Sequence, residues 1–182
     1  MVRWDDPGVA TYLGFLRAIN LGANRKFPKA SIVKAVEAAG FTDVATHINT
    51  GNVRFDTTLR SRAKIEAALE EAFEAEAGFP VPTIVFTQKE LRAIAEEAES
   101  FGHGGRHYVS LCKEVPSEAA VRRLEETSTT EEVAKVGGRA VHLLLAENYH
   151  EAKLTNAAVE KHLGVATNRN LTVIRALVDK WC

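Results

Sequence analysis

Residues 9–16, Val-Ala-Thr-Tyr-Leu-Gly-Phe-Leu, are apolar at odd and even positions alike, which predicts a strand central in its sheet with one side under helices. Pro28 suits a first helical turn, and Ile32, Val33 and Val36 continue as an apolar stripe that Gly40 ends, predicting a helix over 28–39. Val44–Ile48 and Val53–Asp56 are short extended runs around Asn49-Thr50-Gly51-Asn52, the signature of a β-hairpin. Ile65, Leu69 and Phe73 then recur at helical spacing until Gly78-Phe79-Pro80, and Thr83–Phe86 reads as a strand. The order is βαββαβ, that of a ferredoxin-like plait.

A helix carrying Leu91, Ile94, Ala95 and Ala98 follows, and Phe101-Gly102-His103-Gly104-Gly105-Arg106 has the composition of a linker. The pattern then restarts with strand 107–112, a helix from Pro116-Ser117, strand 132–136, a Gly137-Gly138 hairpin, strand 139–145 and helix 154–163, giving βαββα. A last helix over about 170–181 buries Leu171, Ile174, Leu177 and Trp181 on one stripe. The duplication is one of element order, without a residue-level repeat. The expected fold is α+β: two ferredoxin-like (α/β plait) subdomains, antiparallel sheets with helices packed on one face, plus a C-terminal helix. The expected boundaries are 1–87 for the first plait, 88–106 for a connecting helix and Gly-rich linker, and 107–182 for the second, plait-like subdomain with the terminal helix.

Bulk composition narrows the function. A chain of 182 residues can bury a real core, and 46% hydrophobic with 26% charged residues is the balance of an ordinary globular protein. Net charge is −1, so binding to nucleic acid or to an anionic surface must rest on a local patch. Cys112 and Cys182 are far apart in sequence and form no Cys-x-x-Cys pair, which argues against a disulfide scaffold or a thiol redox site and fits a reduced, cytoplasmic setting. No apolar run reaches membrane-spanning length, and Met1–Pro7 lacks the apolar stretch of a secretory signal.

Candidate chemistry falls in three uncharged-polar clusters with arginine. Arg17-Ala18-Ile19-Asn20-Leu21-Gly22-Ala23-Asn24 ends the first strand, Asn49-Thr50-Gly51-Asn52 forms the hairpin turn, and Thr167-Asn168-Arg169-Asn170-Leu171-Thr172 opens the last helix. An arginine at the end of a buried strand needs a partner, either a carboxylate of the protein or an anionic ligand, and Arg25, Lys26 and Lys29 add positive charge nearby. Arg169 at a helix N-terminus opposes the macrodipole unless both grip an anion. Lys153 is a fourth contact in this scheme. The expected ligand-binding set is Arg17, Asn20, Gly22, Asn24, Asn49, Thr50, Gly51, Asn52, Lys153, Arg169, Asn170 and Thr172. Each asparagine and glycine also has a purely local reading as a turn or cap residue.

Other chemistries find less support. His103, His107 and Cys112 do not have zinc-site spacing, so no metal is expected, and no cofactor motif is present. His47 and His142 fall within predicted strands and read as structural histidines. Glu70-Glu71, Glu96-Glu97 and Glu125-Glu126 read as solvated helix faces.

At the three clusters the chain resembles the bacterial domain-of-unknown-function family 1697. Members of that family carry Arg-Gly-Ile-Asn-Val-Gly-Gly after the first strand, a Ser-Gly-Asn-Val hairpin, a Lys-Leu-Thr segment and an Arg-Asn-Trp-x-Thr-Val helix start. The matching stretches here are Arg17–Gly22, Thr50–Phe55, Lys153–Asn156 and Arg169–Val173, with Ala18, Thr50 and Leu171 replacing the usual Gly, Ser and Trp. The resemblance implies two plait-like subdomains and no known activity. Losing the aromatic at Leu171 weakens any stacking role there. The leading expectation is a binding module for an anionic ligand, a nucleotide, phosphorylated metabolite or nucleic-acid segment, in a polar groove between the subdomains. The alternatives are a transferase or hydrolase using the same groove, and a structural or interaction protein with no ligand. No membrane partner is expected, and the sequence leaves the oligomeric state open.

Overall fold

The computed structural model describes residues 8–48, 51–146 and 148–182, and the chain divides after Gln88 into two compact units. The first contains β1 (Ala10–Leu16), α1 (Lys29–Ala38), β2 (Thr42–His47), β3 (Asn52–Thr57), α2 (Arg62–Ala77) and β4 (Thr83–Thr87). Its antiparallel sheet has the order β2-β3-β1-β4, so the apolar first strand is central. α1 and α2 bring Ile32, Val36, Ile65, Leu69 and Phe73 onto Tyr12, Leu16, Val53, Phe55 and Val85. Phe41 stacks on Phe55 at 4.9 Å, and Phe73 meets Phe27 edge-on at 5.5 Å. Removing such area from water stabilises by about 2 kcal/mol per large side chain.

β4 is an edge strand, and two carboxylates of α2 cover its outward N–H groups. Glu70 accepts from Thr83 N at 3.0 Å, and the buried Glu66 accepts from Val85 N at 3.1 Å while pairing with Arg62 at 3.3 Å. Glu70 is thus not the solvated residue its Glu-Glu setting suggested, because the neighbouring edge supplies unmet donors.

The second unit contains α3 (Gln88–Ser100, shared with the first unit only through Gln88), β5 (Arg106–Cys112), α4 (Glu118–Glu125), β6 (Glu132–Gly137), β7 (Ala140–Leu145), α5 (Asn156–Leu163), β8 (Ala166–Asn170) and α6 (Leu171–Trp181). Its sheet order is β6-β7-β5-β8, so this too is a complete βαββαβ plait. The expected βαββα order lacked β8. Ala-Thr-Asn-Arg-Asn carries little strand propensity, and pairing with β5, from Tyr108↔Asn170 to Cys112↔Ala166, imposes its conformation.

On one face of this sheet Cys112, Ala134, Val141, Leu143, Leu145 and Ala166 pack with Leu124 of α4 and Val159 and Leu163 of α5. His142 alternates with Val141 and Leu143 and so points to the other face, where it meets Glu97 of α3. Burial pushes the Cys112 thiol up to about 11, leaving it protonated and inert at neutral pH. Among the described residues no helix is long and apolar enough to cross a membrane.

Candidate functional site

The segment 17–28 between β1 and α1 is held by two of its own side chains. Asn20 adopts φ 55°, a conformation asparagine tolerates better than most residues. Its Oδ1 accepts from Phe27 N at 2.9 Å and its Nδ2 donates to Phe27 O at 3.3 Å, while its own N–H reaches Arg25 O at 2.7 Å. Arg25 donates through Nε to Ala18 O at 2.8 Å and through Nη2 to Pro80 O at 3.1 Å, with its guanidinium 4.7 Å from the Phe79 ring centre. Arg25 therefore fixes the loop rather than adding to an exposed basic patch. Ala18 adopts φ 58°, a conformation that a residue with a Cβ takes only with strain.

The bracket shapes an open concavity of about 770 Å³ lined by Asn20, Gly22, Lys26, Pro28, Lys29 and Ala30. Pro28 caps α1 without a side-chain hydrogen bond, and no acidic residue occupies the first turn. The N–H groups of Lys29 and Ala30 have no acceptor, and the ammonium groups of Lys26 and Lys29 make no ion pair, among the described residues. A helix end of this kind carries partial positive charge, here beside two cations. Arg17 is half-buried just before this segment, its N–H bonded to Pro82 O at 2.9 Å, and Asn24 is exposed.

In the hairpin cluster, Asn49 and Thr50 lie outside the described residues. Gly51 has φ 77°, and a Cβ there would stand 2.7 Å from Leu16 Cβ, so only glycine fits. Asn52 is 2% exposed and donates through Nδ2 to His47 O at 3.0 Å, tying the hairpin together.

In the second unit, Lys153 is exposed; the N–H groups of Lys153 and Leu154 both donate to the Glu132 carboxylate, at 3.0 and 2.8 Å. Arg169 directly precedes the N-cap of α6, but its backbone is that of a strand. It lies in β8 opposite Val109, buried, donating to Thr167 Oγ1 and Asn168 O at 2.8 Å each, and desolvation draws its pKa down to about 10. Asn170 is the N-cap of α6, its Oδ1 accepting from Thr172 N at 2.9 Å. Asn170 and Thr172 line a cavity of about 310 Å³ with His103, Arg106, His107 and Arg175. No sequence motif groups those four residues. Their signal lies in strand register, which no local motif displays.

The profile of the family described as protein of unknown function DUF1697 matches residues 9–142. The chain belongs to the DUF1697 family. Among solved structures, a conserved bacterial protein, SP0830 from Streptococcus pneumoniae, is similar in fold, with TM-score 0.73 and 18% identity over 94% of this chain and 98% of that one. The comparison with curated proteins finds no match. In this DUF1697 protein the bracketed loop, Gly51 and Asn52 fall inside the matched stretch, whereas Lys153, Arg169, Asn170 and Thr172 follow it.

Proposed function

We propose that the protein binds a small anionic ligand, a nucleotide or phosphorylated metabolite, at the concavity before α1. The observation that carries the reading is the convergence of Lys26, Lys29 and the uncapped N-terminus of α1 on one surface whose backbone is fixed by Asn20 and Arg25. A phosphate there meets two ammonium groups and two N–H groups that have no partner among the described residues, the chemistry of helix-end phosphate sites. Two cations suit a single phosphate group better than an extended nucleic-acid backbone.

The test is a thermal-shift and calorimetric titration with adenosine 5′-phosphate, pyrophosphate and a short oligonucleotide, using the parent protein and the Lys26→Ala/Lys29→Ala variant. The expected result is stabilisation by the mononucleotide or pyrophosphate, worth about 2.7 kcal/mol at a hundred times the dissociation constant, and its loss in the variant. Any oligonucleotide binding should have a log–log salt slope of about −2, since each neutralised phosphate contributes close to −0.9. Binding that survives the double substitution, or no binding by any probe, overturns the proposal.

A further inference from the structure

In the second unit, Glu97 of α3, His142 of β7 and His107 of β5 form one hydrogen-bonded line. Glu97 Oε2 lies 3.2 Å from His142 Nε2, and His142 Nδ1 lies 2.9 Å from His107 Nε2. A carboxylate only accepts, so the Nε2 proton of His142 points to Glu97. His142 is fully buried, and desolvation holds its pKa below the ordinary value against the raising effect of Glu97. The ring is neutral, and its Nδ1 is an acceptor. His107 must then donate its Nε2–H to that acceptor.

This order of donors leaves His107 with a lone pair at Nδ1. Burial first, then His142, His103 and Arg175, push its pKa down to about 4, so the ring stays neutral at physiological pH. His107 is 7% exposed, makes no further hydrogen bond among the described residues, and lines the cavity at the start of α6. The Phe101 ring lies 5.0 Å from His142 and packs against the line. His103 donates or accepts through Nε2 at Leu145 O, 3.1 Å away; since a carbonyl accepts, this nitrogen carries the proton. The histidines are not arranged around a common centre: among the described residues no group of three or more His, Cys, Asp or Glu is placed to hold a metal ion.

The rest of the cavity wall carries two arginines, Arg106 and Arg175, and one carboxylate, Glu99. Arg106 is exposed and makes no ion pair among the described residues, and Arg175 is tied to Glu99 at 2.5 Å. The Asn170-capped N-terminus of α6 adds its positive end. A buried acceptor that resists protonation, beside a guanidinium without an ion pair among the described residues, fits a ligand that is an anion at one end and a hydrogen-bond donor at the other. We propose that this cavity is a second ligand site, for a small hydroxylated phosphate monoester: the phosphate meets Arg106 and the start of α6, and the hydroxyl donates to His107 Nδ1, whose orientation the Glu97–His142 line fixes. The volume of about 310 Å³ is within the range of small-molecule pockets.

The experiment is calorimetric titration at pH 7 with glycerol 3-phosphate and, separately, inorganic phosphate, on the parent protein and on His107→Gln, Arg106→Ala and Lys26→Ala/Lys29→Ala variants. Glutamine retains an N–H donor toward His142 and so keeps the internal bond, while its one acceptor, the amide oxygen, no longer stands at the Nδ1 position. Glycerol 3-phosphate should bind about tenfold more tightly than phosphate. His107→Gln should abolish that preference while leaving phosphate affinity unchanged; Arg106→Ala should weaken both about tenfold. Nitrogen-15 NMR of the parent should show His107 protonated at Nε2 and bare at Nδ1. The opposite tautomer, a preference that survives His107→Gln, or no binding of glycerol 3-phosphate overturns the proposal. Loss of glycerol 3-phosphate binding in the lysine variant would place the ligand at the first-unit concavity and likewise overturn this site.

Discussion

Tyr12 in β1 lies opposite Phe55 of β3 and Thr87 of β4; Tyr108 in β5 lies opposite Leu143 of β7 and Asn170 of β8. Aligning the two plaits on this register makes Thr11 equivalent to His107, and Arg54 equivalent to His142. In the first plait these positions hold a hydroxyl and a guanidinium that meet carboxylates: Arg54 pairs with Asp43 at 2.5 Å and Asp56 at 3.2 Å, and Thr11 donates to Asp56 at 2.6 Å, all outside the buried core. In the second the same positions are buried under α3 and hold two imidazoles. Topology assigns the pair of positions, and burial decides their chemistry. At these two positions the half-buried Arg54 keeps its charge beside Asp43 and Asp56, whereas the buried pair consists of imidazoles that can go neutral and still hydrogen-bond.

The connections differ in a complementary way. Residues 17–28 join the first strand and helix of the first plait and carry the lysine concavity, while the equivalent connection in the second, 113–117, is short. One plait thus develops its polar chemistry in a loop and the other on a sheet face.

The largest expected effect that sharpens this contrast is a pH dependence confined to the second plait. His107 has a folded pKa of about 4 against an ordinary 6.5, so the unfolded chain binds its proton first as pH falls. The stabilising contribution is complete above pH 6.5, declines as pH falls toward 4, and changes no further below that, for a total of about 3 kcal/mol. The lowered pKa of His142 acts in the same direction. Around these rings stand Glu97 and Glu99 of α3, His103, Arg106 and Arg175, so the comparison must be internal. Amide hydrogen exchange along β5 and β7 should lose protection over this pH window in the parent protein and lose much less in His107→Gln. Parallel losses in both proteins would show that carboxylates alone carry the acid response.

The next effect belongs to the first plait. Asn20→Ala removes both bonds to Phe27 and places alanine at φ 55°, at an expected cost of about 2 kcal/mol in denaturant unfolding. Asn20→Gly loses the same bonds without the backbone strain and should cost about 1 kcal/mol. Equal losses in the two variants would mean that the backbone conformation is not set by the side chain. Ligand affinity at the concavity should fall along with stability, because the bracket shapes it.

These two cases also show how far the sequence reaches. The apolar run at 9–16, the helical stripes at 32–36 and 65–73, and the Gly-rich hairpins are local patterns, and they led directly to the plait order. Thr167–Asn170 carries no such pattern because its strand conformation comes from β5. The loop residues Asn20, Gly22, Lys26 and Lys29 were legible as polar and basic neighbours in sequence. That Arg25 turns inward onto Ala18 and Pro80 was not, since the carbonyls it meets are defined only by the folded chain. His107 and His142 are separated in sequence by an entire helix and strand, and become neighbours only through the β5–β7 register.

The smallest expected effect tests the likeness of the plaits rather than their difference. Thr83 opens β4 opposite Leu16, and Ala166 opens β8 opposite Cys112, so the two residues are equivalent edge positions. Each N–H is taken by a glutamate of the preceding helix: Glu70 of α2 at 3.0 Å and Glu160 of α5 at 3.1 Å. Thr83 and Ala166 are both buried, and each bond is one charge-assisted contact at a sheet edge, so Glu70→Ala and Glu160→Ala should each cost about 1 kcal/mol, and the Gln variants, which retain an acceptor oxygen, about half of that. Hydrogen exchange at Thr83 and Ala166 should accelerate in the matching Ala variant alone. If only one of the two amides responds, the shared edge device is an accident of topology; if both respond alike, the two plaits protect their fourth strands by the same chemistry despite having no residue-level repeat.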